Sequence, residues 1–286
     1  MKISTEIAST ARHIGEERAI EACAKAGFDH WDFSMLQMCT HKISDGIVEQ
    51  TDHPLSGSEY LSFARKLKKV ADDNGITCNQ SHAPFPCTVR ILDYLKRAIE
   101  CTAEVGGQYC IIHPWNYYTP EQNAEMYFEL LPFEKEHSVK IATENMWCWD
   151  KEKDEACFAA CCEPKSFLDH LNAVNDDDFV ACLDIGHAEM RGLGTSAVDM
   201  IEALGSKLQC LHMHDVDKWH DNHQIPFSLN IDFDAVVRAL KKNNYHGVFT
   251  LEANSYLRAY TPDNVCMGVE MLAQSAKRLA AMFENC

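Results

Sequence analysis

The sequence predicts an α/β protein folded as a single (β/α)8 barrel, and three observations carry that expectation. Short β-branched or apolar runs alternate with longer segments of helical spacing, and they do so eight times along 286 residues. The unit length of roughly 36 residues is that of a strand and a helix with their connections. No glycine-rich phosphate fingerprint follows the first strand, which disfavours the runner-up, an open doubly wound sheet.

The strand runs are KISTEIA (2 to 8), DHWDFS (29 to 34), ITCNQS (76 to 81), YCIIH (109 to 113), VKIATE (139 to 144), FVACLD (179 to 184), LQCLHMH (208 to 214) and GVFTLE (247 to 252). Each is short, apolar and rich in β-formers. Helical segments lie between them. Ser58 ahead of 59 to 70, Thr119 with Pro120 and Glu121, and Thr261 with Pro262 and Asp263 carry the polar side chains and early prolines that open helices. Gly27, Gly75 and Gly247 fall where a left-handed helix cap is expected. The basic run Arg65 to Lys69 suits the solvated face of a helix.

Composition supports one domain over residues 1 to 286. The chain is 46% hydrophobic and 24% charged, with no linker-like or low-complexity tract to divide its core. No signal-peptide pattern or membrane-length apolar run is present, so a soluble, cytoplasmic protein without a membrane partner is expected. The 14 cysteines are scattered through apolar runs and read as reduced core residues. Cys157, Cys161 and Cys162 lack the paired spacing of a zinc knuckle. A formal charge of −17 repels polyphosphate and argues against nucleic acid.

Metal-ligating residue types recur at the strand ends. The third run ends beside His82 and the fourth in His113. Glu144 ends the fifth, and Asp184, with His187 just beyond, ends the sixth. His212 and His214 close the seventh and Glu252 the eighth. In a barrel all of these converge on one face. Singly, each reads as an ordinary buried imidazole or loop carboxylate; six consecutive strand ends of this kind read as a metal site. Glu144, Asp184, His212 and Glu252 form an oxygen- and nitrogen-donor set suited to one divalent ion: Mn, Co, Mg, Fe or Zn. A buried carboxylate cluster with few basic neighbours calls for such a cation.

The segments "ATEN", "LDIGH", "LHMHDVDKWHDNH" followed by "PFSLNIDF", and "TLEAN" resemble the xylose isomerase-like TIM barrel superfamily over most of the chain. That superfamily includes sugar and sugar-phosphate isomerases, hexulose 3-epimerases, inosose dehydratases and endonuclease IV. The resemblance implies Glu144, Asp184, His212 and Glu252 as metal ligands and His187 as a substrate contact. His214 also begins an H-x-x-D match, with Asp217, so His212 is a preference. The implied activity is metal-dependent isomerisation or epimerisation of a carbohydrate, with Glu144 and Glu252 exchanging a proton through a metal-stabilised enediolate. Trp115, Trp147 and Trp149 suit either sugar stacking or loop packing, and the segment from Asn145 to Pro164 suits a lid. Lys218 stands where the 3-epimerases carry an arginine, so hexulose specificity does not transfer. Dimers or tetramers are common in that superfamily, which implies a homo-oligomer.

Two alternatives use the same face. One is a dehydratase or lyase acting on a keto-polyol. The other is an endonuclease IV-like phosphodiesterase with up to three Zn ions, because His82, His113, Glu144, Asp184, His187, His212, Asp221, His223 and Glu252 match that enzyme's ligand types in order. In the sugar reading His82, His113, His214, Lys218, Asp221, His223 and Trp115 line the substrate pocket. The acidic loops argue against a DNA partner.

Overall fold

The structure, a computed structural model, describes residues 1–286. Its principal strands are β1 Ile3–Thr5, β2 His30–Ser34, β3 Thr77–His82, β4 Tyr109–Ile111, β5 Lys140–Glu144, β6 Phe179–Asp184, β7 Leu208–His212 and β8 Phe249–Leu251. Six of them form a curled parallel sheet in the order β7-β6-β5-β4-β3-β2, and β1 pairs in parallel with β8. Single bridges between Glu6 and Asp32 and between Met213 and Leu251 stand at the two seams. The helices are α1 Ala8–Ile14, α2 Glu16–Ala26, α3 Tyr60–Asp73, α4 Leu92–Glu104, α5 Pro120–Phe128, α6 Leu131–His137, α7 Pro164–Val174, the one-turn α8 Ile185–Ala188, α9 Ala197–Leu204, α10 Phe233–Lys242 and α11 Val265–Asn285. No helix is long and apolar enough to cross a membrane.

Side-chain alternation along the strands divides the core. Outward residues such as Ile141, Ala181, Leu183, Leu211, Phe249 and Leu251 join the helices in the main hydrophobic cluster. Inward residues Ile111, Ala142, Val180, Cys182 and Cys210 form a small second cluster inside the curl. Two residues further along each inward row stand His113, Glu144, Asp184 and His212. The period of two that buries Ala142, Cys182 and Cys210 thereby aims the polar strand ends at one place. Elsewhere the interior is polar, with Asn79 Oδ1 accepting from Ser4 Oγ at 2.7 Å and Asn79 Nδ2 donating to Thr250 Oγ1 at 3.0 Å.

Several predicted boundaries shift for local reasons. The first strand stops at Thr5 because the Glu6 carboxylate accepts from the Ser9 hydroxyl and backbone N–H and starts α1. The fourth stops at Ile111, so His113 lies on the exit loop before Pro114. Likewise β7 ends at His212, leaving His214 beyond it. Thr119 caps α5 in a reciprocal box with Gln122, as its sequence predicts. Ser58 caps nothing: α3 opens at Tyr60 with no side-chain cap, and the Ser58 hydroxyl reaches only the Glu59 carboxylate. Thr261 precedes a separate turn: Asn264 Oδ1 accepts from its N–H at 2.7 Å and from its hydroxyl at 3.2 Å, so the hydroxyl caps no helix N–H and α11 begins only at Val265. Gly27 and Gly75 are left-handed, φ 87° and 69°. Gly247 instead meets a packing demand, since a Cβ there would lie 2.3 Å from Tyr245 Oη.

Candidate metal centre

Glu144, Asp184 and His212 end β5, β6 and β7, and Glu252 follows β8; one donor atom from each lies within 4.8 Å of the others. His212 Nδ1 stands 3.1 Å from Glu144 Oε2 and 3.5 Å from Glu252 Oε2. The first three side chains are fully buried and Glu252 is 16% exposed. Cys182 approaches Glu144 and His212, but burial pushes its thiol up to about 12, which leaves it a poor ligand.

Two further groups adjoin this one. His82, His113 and Glu144 form the first, with His82 Nε2 2.9 Å from His113 Nε2 and the latter 3.1 Å from Glu144 Oε2. His187, His214, Asp221 and His223 form the second, with Asp221 Oδ2 3.3 Å from His187 Nε2 and 3.0 Å from His223 Nε2. His82, His187 and His223 share one arrangement: Nδ1 meets a backbone carbonyl, of Ala83, Asn145 and Glu252 respectively, at 2.7 to 2.9 Å. Assigning the N–H to Nδ1 leaves an Nε2 lone pair aimed into each group, the orientation of a metal-ligating imidazole.

The donor chemistry fits a cation. Both His212 nitrogens are buried without a hydrogen-bond partner, as are His113 Nδ1 and one Asp221 oxygen. The His82 lone pair faces His113 Nε2, a contact that needs a proton or a cation between the rings. Burial holds the His82 imidazole down at about 3. Burial alone would raise Glu144, but His212 and His113 outweigh it and hold its carboxyl well below the usual range. Burial raises Glu252 to about 8 against the pull of His212 and His223. Two carboxylates of one cluster are thus pushed apart in acidity.

The predicted residues are not all in these groups. His214 joins the His187 group, with Nε2 3.0 Å from both Asp184 oxygens and its ring stacked 3.9 Å from His223. His212 is the imidazole grouped with Glu144, Asp184 and Glu252, while His214 meets Asp184 from the neighbouring group. Lys218 pairs with Glu189 at 2.9 Å. Trp115 packs edge-on against Tyr117, and its N–H and carbonyl are both held by Asn123. Residues 145 to 164 carry a hairpin, Cys148–Asp150 with Glu155–Cys157, that sets Trp147 6.4 Å from the His187 ring.

Three positioning residues escaped the sequence reading. Asp32 Oδ2 stands 3.4 Å from His212 Nε2; its signal is an acid inside a strand. Asn145 brackets Asp184, donating to its carbonyl at 2.9 Å and accepting from its N–H at 2.8 Å. Gly186 makes room for His214, whose Cε1 would lie 2.0 Å from a Cβ.

Residues 20–281 match the family described as xylose isomerase-like TIM barrel. An uncharacterized protein of Sinorhizobium fredii is 26% identical, with 93% of this chain and 92% of that protein covered. Among solved structures, a D-tagatose 3-epimerase-like protein superposes with TM-score 0.70 at 20% identity, covering 98% of this chain and 99% of that one. The IolI protein, solved with a bound zinc atom, gives TM-score 0.71 at 19% identity, covering 100% and 99%.

Proposed function

Because this chain belongs to the xylose isomerase-like TIM barrel family, we propose that it is a metal-dependent sugar isomerase or epimerase, one domain whose two strand seams close an eight-stranded barrel. The observation that carries this reading is the buried meeting of Glu144, Asp184, His212 and Glu252 at the strand ends. Similarity to a D-tagatose 3-epimerase-like fold and to a zinc-bound one supports it. These four residues would hold a divalent ion, whose chemistry when bound is polarisation of a carbonyl beside a hydroxyl, acidifying the neighbouring C–H.

The protein's own work is proton transfer. Glu144, held ionised by His212 and His113, is suited to remove the proton. Glu252, which keeps its proton to higher pH, is suited to return one, from the opposite face in an epimerisation. His187, fixed through Nδ1 by the Asn145 carbonyl, orients a substrate oxygen with Nε2. Trp147, whose ring stands 6.4 Å from that of His187, would shield that side of the site from water.

One observation favours a second reading: three ligand groups, two of them sharing Glu144, suit phosphodiester hydrolysis at three zinc ions. Elemental analysis of protein purified without chelators separates the two, one ion per chain against about three zinc ions. Deuterium exchange from solvent into the carbon beside a ketose carbonyl then tests the sugar reading. Glu252→Gln is expected to slow exchange by at least about 100-fold. Full exchange in that variant removes Glu252 from the acid–base pair, and no exchange with any ketose by metal-loaded wild type overturns the reading.

A further inference from the structure

A cavity of about 230 Å³ opens beside the metal-ligand groups, with Glu6, Asp32, His82 and Glu252 among its inner residues and Arg12 and Arg258 at its mouth. The four inner side chains are buried or nearly so, and both arginines are exposed. Arg12 lies on α1 and Arg258 on the 3-10 turn Tyr256–Ala259 that follows β8. His13 Nε2 meets the Leu257 carbonyl at 3.1 Å, so the residues next to the two arginines tie these elements together. The guanidinium groups therefore share one opening although they are 246 residues apart in sequence (258 − 12).

Six of the nine arginines, these two among them, form no carboxylate pair, so what sets Arg12 and Arg258 apart is their shared place on one cavity beside the ligand groups. Arg65, Arg191 and Arg238 pair with Glu104, Glu155 and Asp234. Arg12 and Arg258 pair with no carboxylate and donate no side-chain hydrogen bond within the chain. Two unpaired guanidiniums facing one cavity present planar, fixed N–H donors matched to an oxyanion. Lys218 does not line this cavity and is occupied by Glu189.

We infer that this cavity takes an acidic group on the substrate, a phosphate or a carboxylate, which Arg12 and Arg258 hold while the adjoining carbons reach His82 and Glu252. The inference rests on the sugar reading above and names its substrate class: an acidic rather than a neutral sugar. The arginines would also offset the repulsion between an anionic substrate and the site's carboxylates.

The test is calorimetric titration of the full-length, metal-loaded protein with fructose, fructose 6-phosphate and fructuronate. At least one acidic sugar is expected to bind ten or more times tighter than fructose. In the doubly substituted Arg12→Gln, Arg258→Gln protein that ratio is expected to fall to near one. Both side chains are exposed, so the fold is preserved, which circular dichroism and metal content check. A preference for fructose 6-phosphate identifies a phosphate; a preference for fructuronate identifies a carboxylate. Equal affinities for all three sugars overturn the inference. So does a preference that survives in the double variant, the outcome if phosphate contacts only the metal. If no sugar binds, the sugar reading fails, and inorganic phosphate decides the cavity separately. Phosphate binding lost in the double variant retains the anion site, whereas binding that is absent or arginine-independent overturns it.

Discussion

Asp184 does three things with one carboxylate. It accepts the His187 N–H at 2.7 Å and so starts the turn after β6, it holds His214 Nε2 at 3.0 Å, and it contributes a donor to the four-residue cluster. The first role is local, and for that reason the D-x-x-H spacing of "LDIGH" is readable as a motif. The other two depend on residues about 30 to 70 positions away and on Gly186, whose missing Cβ admits the His214 ring. Gly186→Ala would place a methyl 2.0 Å from that ring, so His214 must leave Asp184 or the turn must shift. The expected cost is about 1–3 kcal/mol, read as a lower denaturation midpoint together with weaker metal retention. Unchanged values for both would show that the ring relaxes without penalty. Glu144 is the corresponding shared residue on β5, 3.1 Å from both His113 Nε2 and His212 Nδ1. Its place at the end of "ATE" is visible in sequence, but its double use is not.

At the scale of elements, the connections after the strands carry most of the site's geometry. Asn123 on α5 fixes both backbone polar groups of Trp115, and the Thr119–Gln122 box starts that helix. Thr119→Ala is expected to cost about 1 kcal/mol, seen as a fall of a few degrees in melting temperature with metal binding retained; no change would mean that packing alone holds α5. The hairpin of residues 148 to 157 docks where the Ala156 N–H donates to the Arg191 carbonyl at 3.1 Å, and the Arg191 guanidinium covers the Trp219 ring at 4.2 Å. The sequence marks this stretch as a long segment between β5 and α7 suited to a lid, but not as a hairpin. Its strands are three residues each, too short for a period-of-two pattern to stand out. Capping was legible at Thr119, where the whole reciprocal box lies within four residues. It was not at Thr261, whose hydroxyl donates to Asn264 Oδ1 at 3.2 Å and accepts no helix N–H.

Across the whole molecule, a net charge of −17 makes acid–base balance a determinant of stability. Glu134, buried where α6 meets β5, accepts the Ile141 N–H at 2.9 Å, and burial raises its carboxyl from 4.5 to about 8. The unfolded chain releases this proton near the lower value and the folded chain near the higher. Between them the folded state binds more protons, so this group's stabilising contribution, complete at the acid end, is lost as pH rises through about 8. Glu134→Gln is therefore expected to flatten the fall in melting temperature from about pH 5 to pH 9; parallel curves for the two proteins would assign the fall to other groups. Removing metal with a chelator is expected to lower the melting temperature by mass action, in proportion to the metal's affinity. By itself the sequence determined the alternation of strands and helices, and with it which ligand-type residues lie at strand ends, because both follow from short-range periodicity and local turn chemistry. Tertiary structure alone decided the grouping: His212 with Glu144, Asp184 and Glu252 while His214 joins His187, Asp221 and His223, Asp32 behind His212, and Arg12 and Arg258 on one cavity. Those choices depend on strand register and on contacts such as His13 to Leu257, 244 positions apart, which no local pattern encodes.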